Sequence, residues 1–248
     1  MQKKNTLIFG RHPVIDAIES GQAIDKLFLQ QGTRGEFEKK LRQLSKQHNI
    51  PMQVVPKERL ARFTRGNHQG IVGYLSLVDY HKIDDILPMI YERGEVPLFL
   101  MLDGVTDVRN FGAIARSAVC CGVHAIIVPT KGSAQVNADA IKASAGTLPS
   151  IHICRVNSLI RTIEELQLSG VQVLASDLKA NVPIMKMDMS LPTTLVLGAE
   201  GEGISKAVLK AVDKHFIIPQ TSTTDSFNVS VATGIMLYEV SRQRSVLG

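Results

Sequence analysis

The stretch LFLMLDGVTDVRNFGAIARSA, residues 98–118, joins an apolar run to a polar turn and then to a helix of small residues. A buried strand followed by a turn and a helix is the repeating unit of a parallel α/β sheet. The turn lacks the G-x-G-x-x-G spacing of a dinucleotide site. The helix carries an arginine, Arg116, among residues that are otherwise small or apolar. This stretch therefore predicts a parallel sheet and raises the question of what Arg116 binds.

Short apolar runs continue after this stretch, and helical segments separate most of them. They are HAIIV (124–128), SIHICRV (150–156), VQVLAS (171–176), TTLVLG (193–198) and HFIIP (215–219). Runs that are apolar on both faces predict a parallel sheet covered by helices. The terminal helix, at about 229–243, has no charged residue from Val229 to Tyr238, so we expect most of its circumference to be buried. The fold class predicted for residues 97–248 is α/β.

A smaller α/β unit is predicted over residues 1–78. Its strands are KLFLQ (26–30), MQVV (52–55) and GIVGYLSL (70–77), and its helices begin at Pro13, near Phe37 and around KERLARF. The next stretch, DYHKIDDILPMIYERGEVP, has two prolines and mixed charge, which predicts a linker over 79–96 with at most two helical turns.

The net charge of +5 is unevenly distributed. Residues 1–78 hold 13 Lys and Arg against 6 Asp and Glu, a balance of +7, whereas residues 79–248 hold 15 against 17, a balance of −2. A basic unit predicts a polyanionic partner, and nucleic acid is favoured over membrane because no basic amphipathic anchor is apparent. A lysine-rich surface that serves only solubility is the alternative.

Neither a membrane anchor nor a metal site is predicted. No apolar run approaches the roughly 20 residues that cross a bilayer, and the start, MQKKNTLIFGRHP, lacks a secretory pattern, so we expect a soluble cytoplasmic protein. The three cysteines are odd in number and lack metal-ligand spacing. We expect Cys120, Cys121 and Cys154 to be small buried residues.

Ligands of open α/β sheets bind where the strands end, so the loops that follow the strands are candidate sites. In the first loop, Asn110 is placed to cap the helix FGAIARSAVCC, and Arg116 lies about 9 Å further along the helix at ~1.5 Å per residue. A long helical side chain leans back toward the helix N-terminus, so the guanidinium is expected near the strand end. A buried arginine needs an anionic partner, which is either a ligand phosphate or an internal carboxylate.

The second loop, GAEGEGISK (198–206), is rich in glycine but lacks the register of a P-loop. Glu200 and Glu202 would repel a triphosphate, whereas backbone amides beside carboxylates suit a neutral or cationic ligand. Alternatively, Glu200 favours the N-terminus of a helix that begins at about Ile204.

The third loop, IPQTSTTDSFNVSVATG (218–234), is polar until it enters the terminal helix, with Ser226 and Asn228 at the point of entry. Helix capping explains one of these two residues. It does not explain both of them together with Ser230, which lies in the first turn.

Taken together, the three loops resemble one family. N-x-G-A-x-x-R-S-A (110–118), G-A-E-G-E-G (198–203) and S-F-N-V-S-V-A (226–232) resemble, in order and spacing, the three motifs of the SpoU/TrmH RNA 2′-O-ribose methyltransferases. The phrases FGRHPVIDAI and HQGI resemble those of the RlmB-type subgroup, which methylates a guanosine in 23S rRNA.

The resemblance implies a catalytic domain with a deep trefoil knot, preceded by a substrate-binding domain similar to ribosomal protein L30e. It further implies S-adenosylmethionine as cofactor, rRNA as partner and a homodimer that completes the site. A tRNA methyltransferase of the same family and a non-catalytic RNA-binding assembly factor are the alternatives. A nucleotide-dependent enzyme of the ordinary doubly wound type is disfavoured because the phosphate-loop lysine is missing.

Site residues follow from the resemblance by position. The implied catalytic residues are Asn110, Arg116, Glu200, Ser226 and Asn228. The implied cofactor-binding residues are Leu197, Gly198, Glu200, Gly201, Ile218, Phe227 and Asn228. Arg116 is expected to hold the phosphate next to the target ribose and to help remove the 2′-hydroxyl proton, with the guanidinium or that phosphate as acceptor. The chain departs from the family pattern at Val108, where a proline is common, and at Phe111 and Phe227, which replace leucines.

Overall fold

The computed structural model describes residues 7–134, 136–221 and 226–244. The main division of the chain falls between Asp79 and Tyr80 and separates two compact units.

The first unit contains a four-stranded sheet with the order β1-β4-β2-β3. Its strands are β1 (Leu7–Phe9), β2 (Ile24–Gln30), β3 (Met52–Val55) and β4 (Ile71–Leu75), and its helices are α1 (Arg11–Glu19), α2 (Glu36–Gln47) and α3 (Lys57–Phe63). Strand β4 runs antiparallel to β1 and β2, whereas β2 and β3 are parallel.

Helices cover both faces of this sheet. On one face, Val14 of α1 and Leu41 of α2 pack in a cluster with Leu27. On the other face, Leu60 of α3 packs in a cluster with Phe28. Leu27 and Phe28 are consecutive in β2, and successive side chains of a strand point to opposite faces. The apolar run KLFLQ is therefore buried from both sides.

The second unit contains a seven-stranded sheet with the order β11-β9-β10-β6-β7-β8-β5, and each neighbouring pair is parallel. Its strands are β5 (Tyr80–His81), β6 (Leu98–Asp103), β7 (Ala125–Pro129), β8 (His152–Val156), β9 (Gln172–Ser176), β10 (Thr193–Gly198) and β11 (Lys214–Phe216). The predicted α/β fold with a parallel sheet is confirmed. The trefoil knot that the resemblance implies stays an expectation.

Helices pack on the sheet of the second unit, which buries both faces of its central strand. They are α4 (Ile83–Glu92), α5 (Val108–Cys120), α6 (Ala138–Ala143), α7 (Leu159–Leu168), α8 (Lys206–Ala211) and α9 (Val229–Gln243). Phe99 and Met101 of β6 join a cluster with residues of α4, α7 and α8. Leu100 and Leu102 alternate with them and are equally buried, and α5 and α9 pack against each other.

The stretch predicted as a linker, 79–96, is not a separate segment, because all of it after Asp79 belongs to the second unit. Tyr80–His81 is the edge strand β5, and α4 buries four apolar side chains in the core. These are Ile83, Ile86, Leu87 and Ile90. Their helical spacing was masked in the sequence by Pro88, which lies inside the helix, and by the acidic residues of its first turn.

The terminal helix α9 is buried on one side only, which corrects the expectation that most of its circumference is covered. Met236, Leu237 and Val240 are buried, whereas Val231 is 50% and Tyr238 is 63% exposed. These two exposed residues lie two helical turns apart, on one side of the helix. The uncharged surface of α9 is therefore not explained by burial within the described chain.

Only one of the three cysteines fits the prediction that all are buried. Cys154 is buried in the core, Cys121 is partly buried and Cys120 is exposed, and all three are free thiols. Burial raises the pKa of Cys154 to about 12.

Within the described ranges, no helix is long and apolar enough to cross a membrane.

Candidate active site

The first two candidate loops begin side by side because β6 and β10 are neighbouring parallel strands, with Asp103 opposite Gly198 in register. Asp103 also links the first loop to the second, because its Oδ2 accepts the backbone N–H of Ser205 at 2.8 Å. Sequence reasoning missed this residue. The sequence feature that could have identified it is a carboxylate at the end of an otherwise apolar strand.

The helix that follows the first loop is capped by Asp107 rather than by Asn110. Asp107 Oδ1 accepts the backbone N–H groups of Arg109 and Asn110, both at 2.8 Å, so it is the N-cap of α5. The prediction that Asn110 caps this helix is therefore wrong, because the helix begins two residues before it. As a result, the Asn110 side chain is available for contacts with the other loops.

The second loop is a tight bend in which glycine is required. Ala199 and Gly203 exchange two backbone hydrogen bonds, at 3.1 and 2.9 Å. Gly198 passes so close to Gly203 that a Cβ atom would overlap backbone atoms of that residue, and Gly201 and Gly203 have φ values of 84° and 71°. Helix α8 begins only at Lys206. Among the described residues, the Glu200 side chain hydrogen-bonds to side chains of the other two loops rather than to the N-terminus of this helix.

The third loop ends at Asn228, which is the N-cap of α9. Its Oδ1 accepts the backbone N–H of Ser230 at 2.9 Å and the Ser230 hydroxyl at 2.6 Å. Part of the polar stretch that was predicted to approach the site, residues 222–225, lies outside the described residues.

Three predicted residues, one from each loop, form a hydrogen-bonded cluster. Asn228 Nδ2 donates to Asn110 Oδ1 at 3.1 Å and to Glu200 Oε1 at 3.3 Å, and Asn110 Nδ2 donates to Glu200 Oε2 at 3.2 Å. The amide orientations are consistent, because the helix cap occupies Asn228 Oδ1 and leaves its N–H groups to face the other two residues. We refer to these residues as the Asn110–Glu200–Asn228 cluster.

A cavity of about 450 Å³ adjoins this cluster at Glu200, and six of the seven predicted cofactor-binding residues line it. They are Leu197, Gly198, Glu200, Gly201, Ile218 and Phe227. Ser226 lines it as well, whereas Asn110, Arg116 and Asn228 do not. Its volume lies in the range of small-molecule sites, about 300 to 1,000 Å³.

The charges around this cavity are nearly balanced. Lys179 and Lys206 line it together with Asp177, Glu200 and Glu202. This set leaves one negative charge in excess, which does not favour a polyphosphate. It suits a ligand that carries both a cationic and an anionic group.

Arg116 does not join the cluster. It is exposed on α5, and its side chain makes no hydrogen bond or ion pair with any residue of the described ranges. Arg116 is therefore not the buried arginine that its small neighbours in sequence suggest, and the alternative of an internal carboxylate partner is not seen among the described residues. The guanidinium is left accessible to an external anion.

Comparison with known proteins places this geometry in one family. Residues 97–238 match the SpoU rRNA Methylase family, and residues 7–81 match the RNA 2′-O ribose methyltransferase substrate binding family. The chain belongs to the SpoU family of RNA methyltransferases. The family predicted from the three motifs is thereby confirmed.

Among relatives of this SpoU family protein, one from Bacillus subtilis, YacO, is named as a TrmH family tRNA/rRNA methyltransferase. It is 32% identical over 248 residues, with all of both chains covered. An AdoMet-bound rRNA methyltransferase from Sinorhizobium meliloti has a TM-score of 0.61 and 28% identity, covering 96% of this chain and 87% of that one. The SpoU methyltransferase AviRb from Streptomyces viridochromogenes, in complex with AdoMet, has a TM-score of 0.63 at 24% identity, covering 99% and 92%.

No metal centre is found in the described part of this SpoU family protein, where no group of three or more His, Cys, Asp or Glu side chains is placed to hold an ion. The narrower prediction, an RlmB-type enzyme acting on a guanosine of 23S rRNA, stays a prediction, since the relatives are named for tRNA and rRNA together.

Proposed function

We propose that this protein transfers a methyl group from S-adenosylmethionine to the 2′-oxygen of a ribose in RNA. The observation that carries the proposal is the Asn110–Glu200–Asn228 cluster, formed at the rim of a small-molecule cavity by side chains from three separate loops. A family model for RNA methylases covers the same segment.

The cavity residues fit S-adenosylmethionine. The bend 198–203 lines the cavity, and its carboxylates, Glu200 and Glu202, favour a cationic sulfonium. Lys179 and Lys206 are available for the carboxylate of the amino-acid part, and Phe227 and Ile218 provide apolar surface for the rest of the cofactor. The bound cofactor would supply a methyl group on a sulfonium that is already activated for transfer.

The protein's own residues then have to hold and deprotonate a weakly acidic hydroxyl. Glu200 accepts hydrogen bonds from both asparagines, so its carboxylate is fixed in place at the cavity rim. We propose that this cluster orients the ribose. Arg116, exposed on α5, holds the neighbouring phosphate, since a guanidinium matches a phosphate in a bidentate geometry. A non-bridging oxygen of that phosphate accepts the hydroxyl proton as the ribose oxygen takes up the methyl group, since a protonated guanidinium has no site for it.

For the substrate we propose a guanosine of 23S rRNA. Residues 1–78, with a balance of +7, and the match of residues 7–81 to a substrate-binding family support a structured RNA larger than the modified loop. A tRNA substrate is the second candidate, supported by the relative named for both RNAs. We also propose a homodimer in the cytoplasm, and the exposed uncharged side of α9 at Val231 and Tyr238 supports the dimer.

The test is transfer of tritiated methyl groups from S-adenosylmethionine to unmodified transcripts of 23S rRNA, 16S rRNA and tRNA. We expect incorporation into 23S rRNA and resistance of the product to alkaline cleavage at a single guanosine. Glu200→Gln serves as the matched control, because it keeps the size of the side chain and removes its charge. Incorporation into tRNA alone would select the second candidate. Binding of RNA with no incorporation into any of the three would favour an assembly factor.

A further inference from the structure

A second cavity, of about 740 Å³, lies in the first unit. It is lined by Arg11 and His12 from the phrase FGRHPVIDAI and by His68, Gln69 and Gly70 from the phrase HQGI. The active site described above uses neither phrase. The fold therefore brings the two N-terminal signatures of the sequence to one place.

This cavity is strongly basic. Arg11, Arg34 and Lys57 line it, and no carboxylate is among its lining residues. The side chains of Arg34 and Lys57 make no hydrogen bond or ion pair with residues in the described ranges. Two acidic residues near Arg34 in sequence have other partners, since Glu36 pairs with Lys39 at 3.0 Å and Glu38 pairs with Arg42 at 2.8 Å. The positive charges of the cavity thus lack a counter-charge among its lining residues.

The wall of the cavity is built on a strained turn. Gln69 and Gly70 both have positive φ values, 48° and 84°, and the backbone N–H of Ile71 donates to the His68 carbonyl at 2.9 Å, as in a type I′ turn. A left-handed conformation is unfavourable for glutamine. Here it places Gln69 so that its Oε1 accepts the Arg11 backbone N–H at 3.0 Å and its carbonyl accepts Arg11 Nε at 3.3 Å.

The turn also fixes a histidine. His68 Nδ1 accepts the backbone N–H of Gly70 at 3.1 Å, which assigns the ring proton to Nε2. Gln30, Asn67 and His68 then add hydrogen-bonding side chains to the basic wall. The cavity combines groups that bind phosphate with groups that can pair with the edge of a base.

We propose that this cavity binds the sugar–phosphate backbone of an unpaired segment of the RNA substrate and contacts the edge of one of its bases. The proposal rests on the proposed function for the nature of the substrate. An unpaired strand is favoured because its bases can enter a concave site, whereas A-form duplex keeps most base edges in a groove that side chains cannot reach. Arg34 and Lys57 would hold phosphates, and His68 would face a base.

The test compares two double variants of the full chain. Arg34→Ala with Lys57→Ala removes two cavity charges, and Lys46→Ala with Arg62→Ala removes the same two residue types from exposed positions of this unit outside the cavity. The probe is a short unpaired RNA of mixed sequence labelled with fluorescein, and the competitor is the same RNA annealed to its complement. Affinity is measured by fluorescence anisotropy at several salt concentrations, without cofactor.

We expect the cavity variant to bind the unpaired RNA at least about tenfold more weakly. The slope of the logarithm of the binding constant against the logarithm of the salt concentration should be smaller by about 1.4, which is roughly 0.7 for each of two lost phosphate contacts. The control variant should stay within about twofold of the wild type. Equal losses in both variants, or duplex that competes as well as unpaired RNA, would overturn the proposal.

This binding assay separates the proposal from the proposed function. If the wild type binds unpaired RNA through the cavity but methylates no RNA, the proposed function fails and the cavity assignment stands. If methylation proceeds and the cavity variant keeps the wild-type affinity and KM for RNA, the cavity assignment fails alone. Thermal unfolding and calorimetric binding of S-adenosylmethionine, both expected to match the wild type, show that the variant is folded.

Discussion

Asn228 donates its side-chain amide to the side-chain oxygen of Asn110 at 3.1 Å, although 118 positions separate the two residues in sequence. This contact joins the N-cap of α9 to the first turn of α5, and each asparagine also donates to Glu200. The cluster is therefore held by the same hydrogen bond network that caps a helix. Stability and site geometry can be separated by a substitution that keeps the cap and changes the amide.

Asn228→Asp makes that separation. Aspartate caps a helix as well as asparagine does, so the bond to the Ser230 N–H survives. The amide that faces Glu200 at 3.3 Å becomes a carboxylate, and two like charges then meet. We expect a fold close to that of the wild type by circular dichroism and a loss of methyl transfer of at least about 100-fold.

Asn228→Ala is the companion variant, since it removes the cap too and should lower the free energy of unfolding by about 1 kcal/mol. An Asn228→Asp protein that methylates RNA at the wild-type rate would remove the cluster from the mechanism.

Arg116→Ala should abolish methylation and leave the rest of the protein unchanged. The side chain is exposed and contacts none of the described residues through a hydrogen bond or ion pair, so its loss should shift the thermal midpoint very little. Binding of S-adenosylmethionine, measured by calorimetry, should also be unchanged because Arg116 does not line the cavity. We expect kcat/KM to fall by at least about 100-fold.

Arg116→Lys refines this experiment, because lysine keeps the charge but loses the bidentate fork. A residue that only holds a phosphate should then show a raised KM for RNA with much of kcat retained. Wild-type turnover by Arg116→Ala, or outright unfolding, would contradict the assignment.

Elements with a continuous apolar or uncharged sequence could be predicted closely. Strand β10 and helix α9 have the predicted bounds, because an unbroken apolar run and a long uncharged helix leave few alternatives. Helix α4 was predicted only as one or two turns within a linker, because Pro88 and two acidic residues interrupt its pattern. Capping was misassigned because Asp107 and Asn110 are both good caps, and only the start of the helix decides between them.

The side of a helix on which a residue lies was harder to predict. Arg116 sits in a run of small residues, yet it is exposed, since the faces that α5 buries depend on the elements packed against it. Convergence of the three loops followed from the motif resemblance and the strand-end rule. The role of Asp103 needed the structure, because its partner lies 102 residues away.

The cysteines should differ in reactivity. Burial is the main cause of the raised pKa of Cys154, about 12, so at neutral pH it stays a protonated thiol inside the core. Cys120 is exposed. With iodoacetamide on the native protein, mass spectrometry should find alkylation at Cys120 and none at Cys154 until denaturant is added. Rapid native labelling of Cys154 would contradict its burial.

The same pKa shift has a consequence for stability. The folded-state pKa of about 12 exceeds the ordinary value of 9.0, so the stabilising contribution of the protonated thiol is complete below pH 9 and is lost as the pH rises toward 12. Over that range the wild type should lose free energy of unfolding relative to Cys154→Ala, which lacks the titrating group. Parallel curves for the two proteins would show that the thiol ionises as easily in the folded state as in the unfolded one.

Gly198→Ala should abolish cofactor binding by opening the bend that forms the cavity wall. An added Cβ would overlap backbone atoms of Gly203 and Ile204, and backbone cannot move aside as a side chain tip can. The paired hydrogen bonds of Ala199 and Gly203 would have to break, which displaces Glu200 from both asparagines. We expect affinity for S-adenosylmethionine to fall at least about 100-fold by calorimetry, or roughly 2.7 kcal/mol.

Gly201→Ala is the matched control, because it lies in the same bend and a Cβ there would meet no atom within 4 Å. The substitution costs only the free energy of a positive φ for alanine, about 1 to 2 kcal/mol. The hydrogen bonds between Glu200 and the two asparagines can still form. If both variants lost the cofactor equally, backbone strain alone would account for the effect. Tight binding by Gly198→Ala would mean that S-adenosylmethionine lies elsewhere and that the cavity beside the cluster has another occupant.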